Sequence, residues 1–381
     1  MKQLLLRVFI TVSFCLFLTG CGNKSNALPP KPLIKFTPKL HAQYLWDQNI
    51  GNGTDGQLDL KLRPSVWQNR IYTTSFDGNI SAVDAENGKL LWQENTGLKL
   101  TSPPAVSQKF VVAGTLHAKL IALDRVNGKL LWQSDLPSSL FARPTIEGNV
   151  VYVQTHDGSI SAYHLKNGKQ IWSQNTSTPD VMLIGNSSPL VYHDLVLAGT
   201  STGSLWGFNK TQGTKQWDNP IALANSGSPA EQMIDITATP IMLNNTLYIA
   251  TFQGSLISFD ARQGRANWQK KASIFNNFAI SDRALFTTDA KSDVTAYSLK
   301  TGQILWQNKS FEGRKLSAPL YDKGKIFIGD YEGYLHVLNA TTGQYLDRVK
   351  IGGKGINAQP TAANGNIIVQ TNDGTLGAVK P

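Results

Sequence analysis

The sequence predicts an all-β fold, an eight-bladed β-propeller of four-stranded antiparallel blades. Three observations predict it: a phrase recurs about every forty residues, each copy contains four short β-rich segments, and the last copy is completed by a segment near the N-terminus. Repeats of this length are typical of solenoids and propellers, and four strands in each repeat favour a propeller.

The repeated phrase is DGNISAVDAENGKLLW at 77–92, and it returns as HAKLIALDRVNGKLLW at 117–132 and as DGSISAYHLKNGKQIW at 157–172. Six internal copies end in the pattern Gly-x-x-x-Trp. A seventh copy keeps Gly343 but has Asp347 in place of the tryptophan. These copies account for seven blades.

The eighth copy is split between the two ends of the chain. Its last phrase, DGTLGAVKP, ends at Pro381 before a fourth segment is reached. The segment YLWDQN near the N-terminus offers Trp46 with no repeat before it. We therefore expect the N-terminal strand to pair with the C-terminal strand and close the ring, which removes the free sheet edges of an open array.

Each blade is predicted from four segments, which in the first copy read RPSVW, RIYTTSF, ISAVD and LLWQE. Alternating or β-rich residues predict strands, and Gly, Asn or Asp between them predict turns. The first segment usually opens with a proline, which cannot donate to a sheet ladder and so marks an edge strand or the first residue of a strand. These prolines are Pro64, Pro104, Pro144, Pro189, Pro240, Pro319 and Pro360.

The turn before each tryptophan is explained by an aspartate and a glycine. Asp84 or Asp124 can accept hydrogen bonds from turn amides, and Gly88 or Gly128 can take the positive φ of a tight turn. We expect the tryptophan to fill the gap between neighbouring blades, with a gross gain of about 4 to 6 kcal/mol each. Seven of the nine tryptophans occupy this position, namely Trp46, Trp92, Trp132, Trp172, Trp217, Trp268 and Trp306.

The N-terminus carries the features of an export signal. Lys2 precedes and Arg7 interrupts an apolar run that is too short for a stable membrane span. The run ends in LTGC, which resembles the bacterial lipobox, whose cysteine is acylated, palmitate included, and becomes the first residue of the mature protein. Gly22 after Cys21 resembles sorting to the outer membrane. An uncleaved anchor helix is the alternative.

Three segments are therefore expected: a lipoprotein signal peptide at 1–20, the acylated cysteine with a flexible proline-rich tether at 21–40, and the propeller at 41–381. Removing the signal takes two basic and no acidic residues, so the formal charge falls from +10 to +8. An exported chain seldom meets nucleic acid, so a basic balance favours acidic protein surfaces or anionic envelope polymers as partners, and it favours a generally solvated surface more strongly than either. The mature chain would keep Cys21 alone, which excludes an intramolecular disulfide.

The pattern Ala82-x-Asp84-x-x-x-Gly88-x-x-x-Trp92 resembles the tryptophan-docking repeat of the pyrroloquinoline-quinone propellers. With the lipobox and the eight repeats, residues 42–380 resemble the BamB family, the lipoproteins of the outer-membrane β-barrel assembly machinery. The resemblance implies a non-catalytic scaffold without a cofactor, monomeric within a hetero-complex. It also implies attachment to the periplasmic face of the outer membrane by the lipid anchor, and docking on the periplasmic (POTRA) domains of BamA.

Departures from the repeat predict where a partner binds, because loops carry function on a rigid scaffold. From the closing tryptophan to the proline that opens the next copy, the numbering advances by 12 in the first two copies, but by 17 after Trp172 and by 23 after Trp217. Both longer loops are the same connection in consecutive blades, so we expect them side by side on one face. The candidate contacts are Val181, Met182, Leu183 and Ile184 in the first loop and Met233, Ile234 and Asp235 in the second.

The family resemblance implies a leucine-rich stretch ending in arginine in the first loop and an acidic stretch in the second. Val181 and Leu183 match the leucine positions loosely, and Asp235 matches the first acidic position. Ile184 stands where the arginine would be, and Thr237 where a second aspartate would be. The alternative is that these side chains pack back onto the propeller.

Two other functions fit a basic propeller. One is an envelope module that binds peptidoglycan or another polymer, and the other is a quinoprotein-type dehydrogenase. Such enzymes commonly resemble this fold with a calcium site, a catalytic aspartate and a disulfide of adjacent cysteines over the cofactor. The mature chain lacks those cysteines.

Two motifs resemble catalytic signatures without their context. The G-x-S-x-G pattern at 199–203 requires a strand followed by a helix, but it aligns with a hairpin position of the repeat. The G-x-G-x-x-G pattern at 51–56 is followed by QLDLKLRP rather than by a helix, and we expect a flexible loop. Neither predicts a catalytic residue.

The histidines show no spacing typical of metal ligands, and no metal site is expected. We expect them to be partly exposed strand residues. They are His41, His117, His156, His164, His193 and His336.

Overall fold

The computed structural model describes residues 29–54, 58–176, 178–185, 187–223, 227–228, 231–261 and 263–381. The predicted signal peptide, Cys21 and the first part of the predicted tether lie outside the described residues. All regular elements within the described ranges are β-strands. These ranges contain no apolar helix long enough to cross a membrane.

The described residues form 32 strands in eight four-stranded antiparallel sheets, one for each blade. Blade 1 contains β2 (Ser65–Trp67), β3 (Arg70–Thr74), β4 (Asn79–Asp84) and β5 (Leu90–Asn95). Blade 2 contains β6 (Ala105–Val106), β7 (Phe110–Gly114), β8 (Lys119–Asp124) and β9 (Leu130–Asp135). Blade 3 contains β10 (Thr145–Glu147), β11 (Val150–Gln154), β12 (Ser159–His164) and β13 (Gln170–Asn175). Blade 4 contains β14 (Leu190–Tyr192), β15 (Leu195–Gly199), β16 (Ser204–Asn209) and β17 (Lys215–Pro220).

The remaining blades follow the same order. Blade 5 contains β18 (Ile241–Leu243), β19 (Thr246–Ala250), β20 (Gly254–Asp260) and β21 (Arg265–Ala272). Blade 6 contains β22 (Ala279–Ile280), β23 (Ala284–Thr288), β24 (Val294–Ser298) and β25 (Ile304–Asn308). Blade 7 contains β26 (Leu320–Asp322), β27 (Lys325–Gly329), β28 (Tyr334–Asn339) and β29 (Tyr345–Lys350). Blade 8 contains β30 (Thr361–Ala363), β31 (Asn366–Gln370), β32 (Thr375–Lys380) and β1 (Gln43–Asn49).

The two ends of the chain close the ring within blade 8. Strand β1 pairs antiparallel with β32, and Trp46 lies opposite Ala378 in the register. The pairing continues beyond the strands, because the Ile50 amide donates to the Gly374 carbonyl at 2.9 Å. The predicted eight-bladed propeller and its closure by the terminal strands are confirmed.

The hydrophobic core lies in layers between neighbouring blades. In the layer between blades 2 and 3, Val112 and Leu120 pack with Val151 and Tyr163. Because neighbours cover both faces of the two middle strands, nearly all residues of those strands are buried. The outermost strand of each blade is more exposed, with side chains that alternate or face solvent.

Trp132 shows how most seams between blades are sealed. Its indole Nε1 donates to the Leu165 carbonyl of blade 3 at 2.8 Å. Its Cε3 lies 2.5 Å from where a Cβ on Gly168 would be, so only glycine fits beneath the ring. The same arrangement joins Trp46 to Gly88, Trp92 to Gly128, Trp172 to Gly213, Trp268 to Gly302 and Trp306 to Gly343.

Trp217 differs from the other six. Its Cε2 lies 2.5 Å from where a Cβ on Gly207 would be, within its own blade. At the equivalent position on the next blade, Gly264, a Cβ would have no atom of the described residues within 4 Å. Strand β16 has Gly207 opposite the tryptophan, where blades 1 and 3 have Ala82 and Ala162. The missing methyl group leaves room for the indole to lie over its own sheet.

The seam between blades 7 and 8 uses no tryptophan. In blade 8 the third and fourth strands, β32 and β1, come from opposite ends of the sequence, so no turn glycine joins them to receive an indole. Asp347 takes the tryptophan position instead, and its Oδ2 accepts a hydrogen bond from the Ala42 amide at 2.7 Å. The exception predicted from the sequence at Asp347 thus holds the start of β1.

The chain before β1 lies along blade 7. The Lys31 carbonyl accepts a hydrogen bond from Arg314 Nη1 at 3.1 Å, and the Lys39 amide donates to the Leu346 carbonyl at 2.9 Å. Phe36 stacks near Tyr345, with ring centroids 5.0 Å apart. The described part of the segment predicted as a flexible tether is therefore attached to the propeller.

Candidate partner-docking face

The two long loops predicted to lie together are joined by a hydrogen bond. The Leu183 amide of the first loop donates to Asp235 Oδ1 of the second at 3.0 Å. The Asp235 backbone is fixed as well, since its carbonyl accepts from the Phe252 amide at 2.9 Å. Asp235 therefore sets the position of the first loop relative to the second.

Asp235 and Ile234 are buried beneath the loops rather than presented to solvent. Asp235 is 1% exposed and Ile234 is 4% exposed. The Ile234 Cδ1 lies 2.6 Å from where a Cβ on Gly203 would be, so this side chain packs onto the turn between β15 and β16. Burial raises the pKa of Asp235, although the hydrogen bond from the Leu183 amide opposes that rise. Both residues support the face from below.

The two loops expose apolar side chains next to polar ones, which include Asp180, Glu231 and Gln232. Val181 is 44% exposed and Ile184 is 61% exposed, while Met182, Leu183 and Met233 are half-buried. Leu223, in the second loop, is 83% exposed. We refer to Val181, Met182, Ile184 and Leu223 as the docking face.

Leu223 is absent from the sequence-based candidates. It follows Ile221 and Ala222, which are buried, and the sequence shows three apolar residues in a row without showing which of them faces outward. The length of the connection after Trp217 is the signal that could have directed attention to it.

A central cavity opens beside the docking face. Its volume is about 560 Å³, and it is lined by residues that precede the first strand of all eight blades. Ile184 and Thr237 contribute to its wall, so the cavity and the long loops share one face of the propeller. Thr237, which was compared with a second aspartate, donates its hydroxyl to the Phe275 carbonyl at 2.9 Å.

A buried ionic cluster in blade 7 was missed by sequence reasoning. Arg314 Nη2 and His336 Nε2 both contact Asp330 Oδ2, at 2.6 Å and 2.8 Å. Arg314 also pairs with Glu332. The guanidinium that holds the Lys31 carbonyl is therefore itself held by two carboxylates.

The expectation that His336 is a partly exposed strand residue is wrong, since its side chain is fully buried. Burial lowers the pKa of His336, against the opposing effect of Asp330, so the ring is neutral and its Nε2–H donates to the carboxylate. Burial alone would raise the pKa of Asp330, but hydrogen bonds from His336, the Tyr334 amide and Arg314 hold it below its ordinary value. The repeat carries a signal for the burial of His336, because it aligns with Ser81 in a middle strand of blade 1, and neighbouring blades cover both faces of such strands.

The two signature-like motifs lie in turns. Residues 200–203 form the tight turn between β15 and β16, as the hairpin interpretation predicts, and the Gly203 amide donates to the Thr200 carbonyl at 3.2 Å. The stretch at 51–54 follows β1, and residues 55–56 of the second motif lie outside the described part. Among the described residues, no group of three or more His, Cys, Asp or Glu is placed to hold a metal ion.

Comparison with known proteins identifies relatives over nearly the whole chain. The family model described as "Outer membrane protein assembly factor BamB" matches residues 76–308 and 290–380. A protein of that name from Francisella tularensis subsp. tularensis is 42% identical, over 98% of this chain and 83% of its own length.

Solved structures agree. The crystal structure of BamB from Moraxella catarrhalis has a TM-score of 0.82 at 26% identity, covering 90% of this chain and all of that one. Quinohemoprotein alcohol dehydrogenase from Comamonas testosteroni has a TM-score of 0.70 at 12% identity, over 89% of this chain and 76% of its own, a likeness of fold alone. The chain belongs to the family of the outer membrane protein assembly factor BamB.

Proposed function

We propose that this chain is a non-catalytic scaffold of outer-membrane protein assembly that docks on the periplasmic domains of BamA through the docking face. The role in assembly is supported by the names of its relatives. The observation that carries the docking proposal is a group of exposed apolar side chains on two adjacent long loops, held in place by the buried Asp235. Exposed apolar groups clustered on a monomer mark interaction sites.

The anchoring proposal follows from the N-terminal segment. Cys21 carries the lipid, and the chain reaches the propeller at Lys31, where Arg314 holds it. Within the assembly complex the protein is a monomer.

The docking proposal is tested by charge substitution on the docking face. Val181→Asp with Ile184→Asp places two carboxylates where the apolar contact would be desolvated, and burying an unpaired charge opposes binding strongly. We expect the affinity for purified BamA periplasmic domains, measured by isothermal titration calorimetry, to fall at least tenfold.

The matched control is Val126→Asp. Val126 is 58% exposed, in the turn between β8 and β9 of blade 2. We expect this variant to bind as the wild type does, and all variants to melt at the wild-type temperature because the substituted side chains are exposed. Unchanged affinity in the double variant would place the contact elsewhere on the propeller.

A further inference from the structure

The central cavity is built from one equivalent position in every blade. In seven blades this is the residue directly before the proline that opens or precedes the first strand, and in blade 6 it is the residue before Ala279. All eight of these residues line the cavity. The polar members are Arg63, Arg143, Ser188, Thr239 and Gln359.

The charge of the cavity wall is unbalanced. Its lining includes three basic residues, Lys61, Arg63 and Arg143, and one acidic residue, Asp59. Asp59 acts on Lys61, whose Nζ also lies 4.6 Å from the centre of the Phe275 ring. Among the described residues neither arginine has an ion pair.

Arg63 is oriented by blade 8. Its Nη1 donates to Gln359 Oε1 at 2.5 Å and its Nε donates to Thr361 Oγ1 at 3.0 Å. Gln359 is fixed in turn, because its Nε2 donates to the Pro319 carbonyl at 2.7 Å. The guanidinium is therefore held in place before any ligand arrives, which lowers the entropy lost on binding.

Arg143 lies near Arg63 and has no ion-pair partner among the residues that the structure describes. It makes no hydrogen bond to the described part of the chain, and the positive charge of Arg63 repels its guanidinium. Burial, with the repulsion from Arg63, lowers the pKa of Arg143 to about 9, and burial lowers that of Arg63 to about 10. Both arginines are half-buried and line the cavity, so a ligand inside it can reach them. An anion between them would relieve a like-charge repulsion that folding alone leaves in place.

We propose that the central cavity binds a carboxylate-bearing anion, with Arg63 and Arg143 as its ligands. The guanidinium fork matches a carboxylate bidentately, and an enclosed charge-assisted pair is stronger than one in bulk water. The side chains of Phe141, Phe275 and Ile241 give the wall an apolar part that suits the carbon body of an organic acid. The three basic residues and one acidic residue of the lining leave a net charge of two positive units, which suits a dianion.

Isophthalate, a planar dicarboxylate, is the probe. We expect it to bind the folded wild-type chain by calorimetry and to raise its melting temperature, since a ligand of the folded state stabilises it. Isophthalamide, its neutral analogue, should do neither. Absence of binding, or equal binding of the amide, would overturn the proposal.

The variants are Arg143→Gln and, as a control, Lys169→Gln, an exposed residue in the turn before β13. Arg143→Gln should lose at least tenfold in affinity for isophthalate while melting no lower than the wild type, because it removes an unpaired cation. Lys169→Gln should bind as the wild type does. Wild-type affinity in Arg143→Gln would contradict the assignment.

The carboxylate could come from a free organic acid or from an acidic side chain of the protein that docks on the same face. If isophthalate competes with the BamA periplasmic domains, and Arg143→Gln weakens their binding, the partner supplies the group. If the two bind independently, the ligand is a free anion. Either result upholds the site. Isophthalate binding is measured without BamA, so this test of the cavity gives an answer even if the docking proposal fails. The docking test likewise gives an answer if isophthalate does not bind.

Discussion

The seam between blades 2 and 3 and the seam between blades 4 and 5 arise from the same repeat but are sealed differently. Trp132 crosses to blade 3 and covers Gly168, whereas Trp217 turns back onto Gly207 of its own blade. The second seam is also where the longest connection begins, and Leu223 of the docking face lies in that connection. The other three residues of the docking face lie in the neighbouring long loop, between blades 3 and 4. The regular seam stabilises the ring, whereas the irregular one is the start of a long loop that we propose forms part of the docking face.

The seam between blades 7 and 8 supports the same distinction. There Asp347 holds the Ala42 amide, and Arg314 holds the Lys31 carbonyl. The place where the repeat loses its tryptophan is thus the place where the N-terminal segment joins the propeller. One departure from the repeat thus holds the N-terminal segment, and the long loops are the departure at which we propose that a partner docks.

Removing the tryptophan at each seam is the strongest test of the comparison. Trp132 is 8% exposed and bridges two blades, so Trp132→Ala should lower the free energy of unfolding by about 3 to 5 kcal/mol. Trp217→Ala should lose less, because its indole rests on its own sheet. Urea unfolding followed by far-ultraviolet circular dichroism gives both values. Equal losses would mean that the two seams are sealed alike.

The buried cluster of blade 7 gives the second test. Asp330→Ala leaves the Arg314 guanidinium buried with one remaining carboxylate partner, and breaking such a pair destabilises by about 3 to 5 kcal/mol. The control, Lys215→Gln, removes the exposed Lys215–Asp218 pair and should change stability by less than about 1 kcal/mol. Losses of the same size would show that the cluster is no stronger than a surface pair.

Two glycines in the same turn position sharpen the comparison further. Gly128 and Gly264 both have positive φ, at 74° and 67°, so alanine strains either turn by about 1 to 2 kcal/mol. A Cβ on Gly128 would also lie 2.6 Å from Trp92 Cε3, whereas a Cβ on Gly264 meets no described atom within 4 Å. Gly128→Ala should therefore melt at a clearly lower temperature than Gly264→Ala. Matching melting temperatures would contradict the observation that no indole covers Gly264.

The smallest effect is expected from pH. The unfolded chain protonates His336 near its ordinary pKa of 6.5, but the folded chain does so at a lower pH, so stability should fall as the pH drops below 6.5. The slope between pH 6.5 and 5 is at most about 1.4 kcal/mol per pH unit for one group. His336→Gln should flatten it when urea unfolding is measured across that window. An unchanged slope would mean that His336 titrates alike in both states.

The fold was predictable because the signal is repeated. Each copy predicts the same four strands. Because the eighth copy lacks its fourth strand at the C-terminus, the count of copies also predicts that β1 pairs with β32. The irregular features were less accessible. The outward placement of Leu223 depends on which way a single loop residue faces. The burial of His336 follows from its place in a middle strand, but its contact with Asp330 could not be predicted from that place alone.

The two arginines of the cavity fall between these cases. Arg63 and Arg143 precede Pro64 and Pro144 in the same register of the repeat, so alignment of the copies places them together at one level of the ring. That this level faces a cavity, and that no described carboxylate pairs with either arginine, comes from the structure. The exchange of alanine for Gly207, which redirects Trp217, is likewise visible in the sequence but has no meaning until the register of β16 and β17 is known.

Photo-crosslinking in intact cells tests the central claim most directly. A photoreactive amino acid at position 184, on the docking face, is compared with one at position 126, on the regular blade 2. Because both positions are exposed, access to a reactive partner is similar and location is the main difference. We predict a crosslink to BamA from position 184 and none from position 126. Crosslinking from position 126 with none from position 184 would contradict the assignment of the docking face to the two long loops.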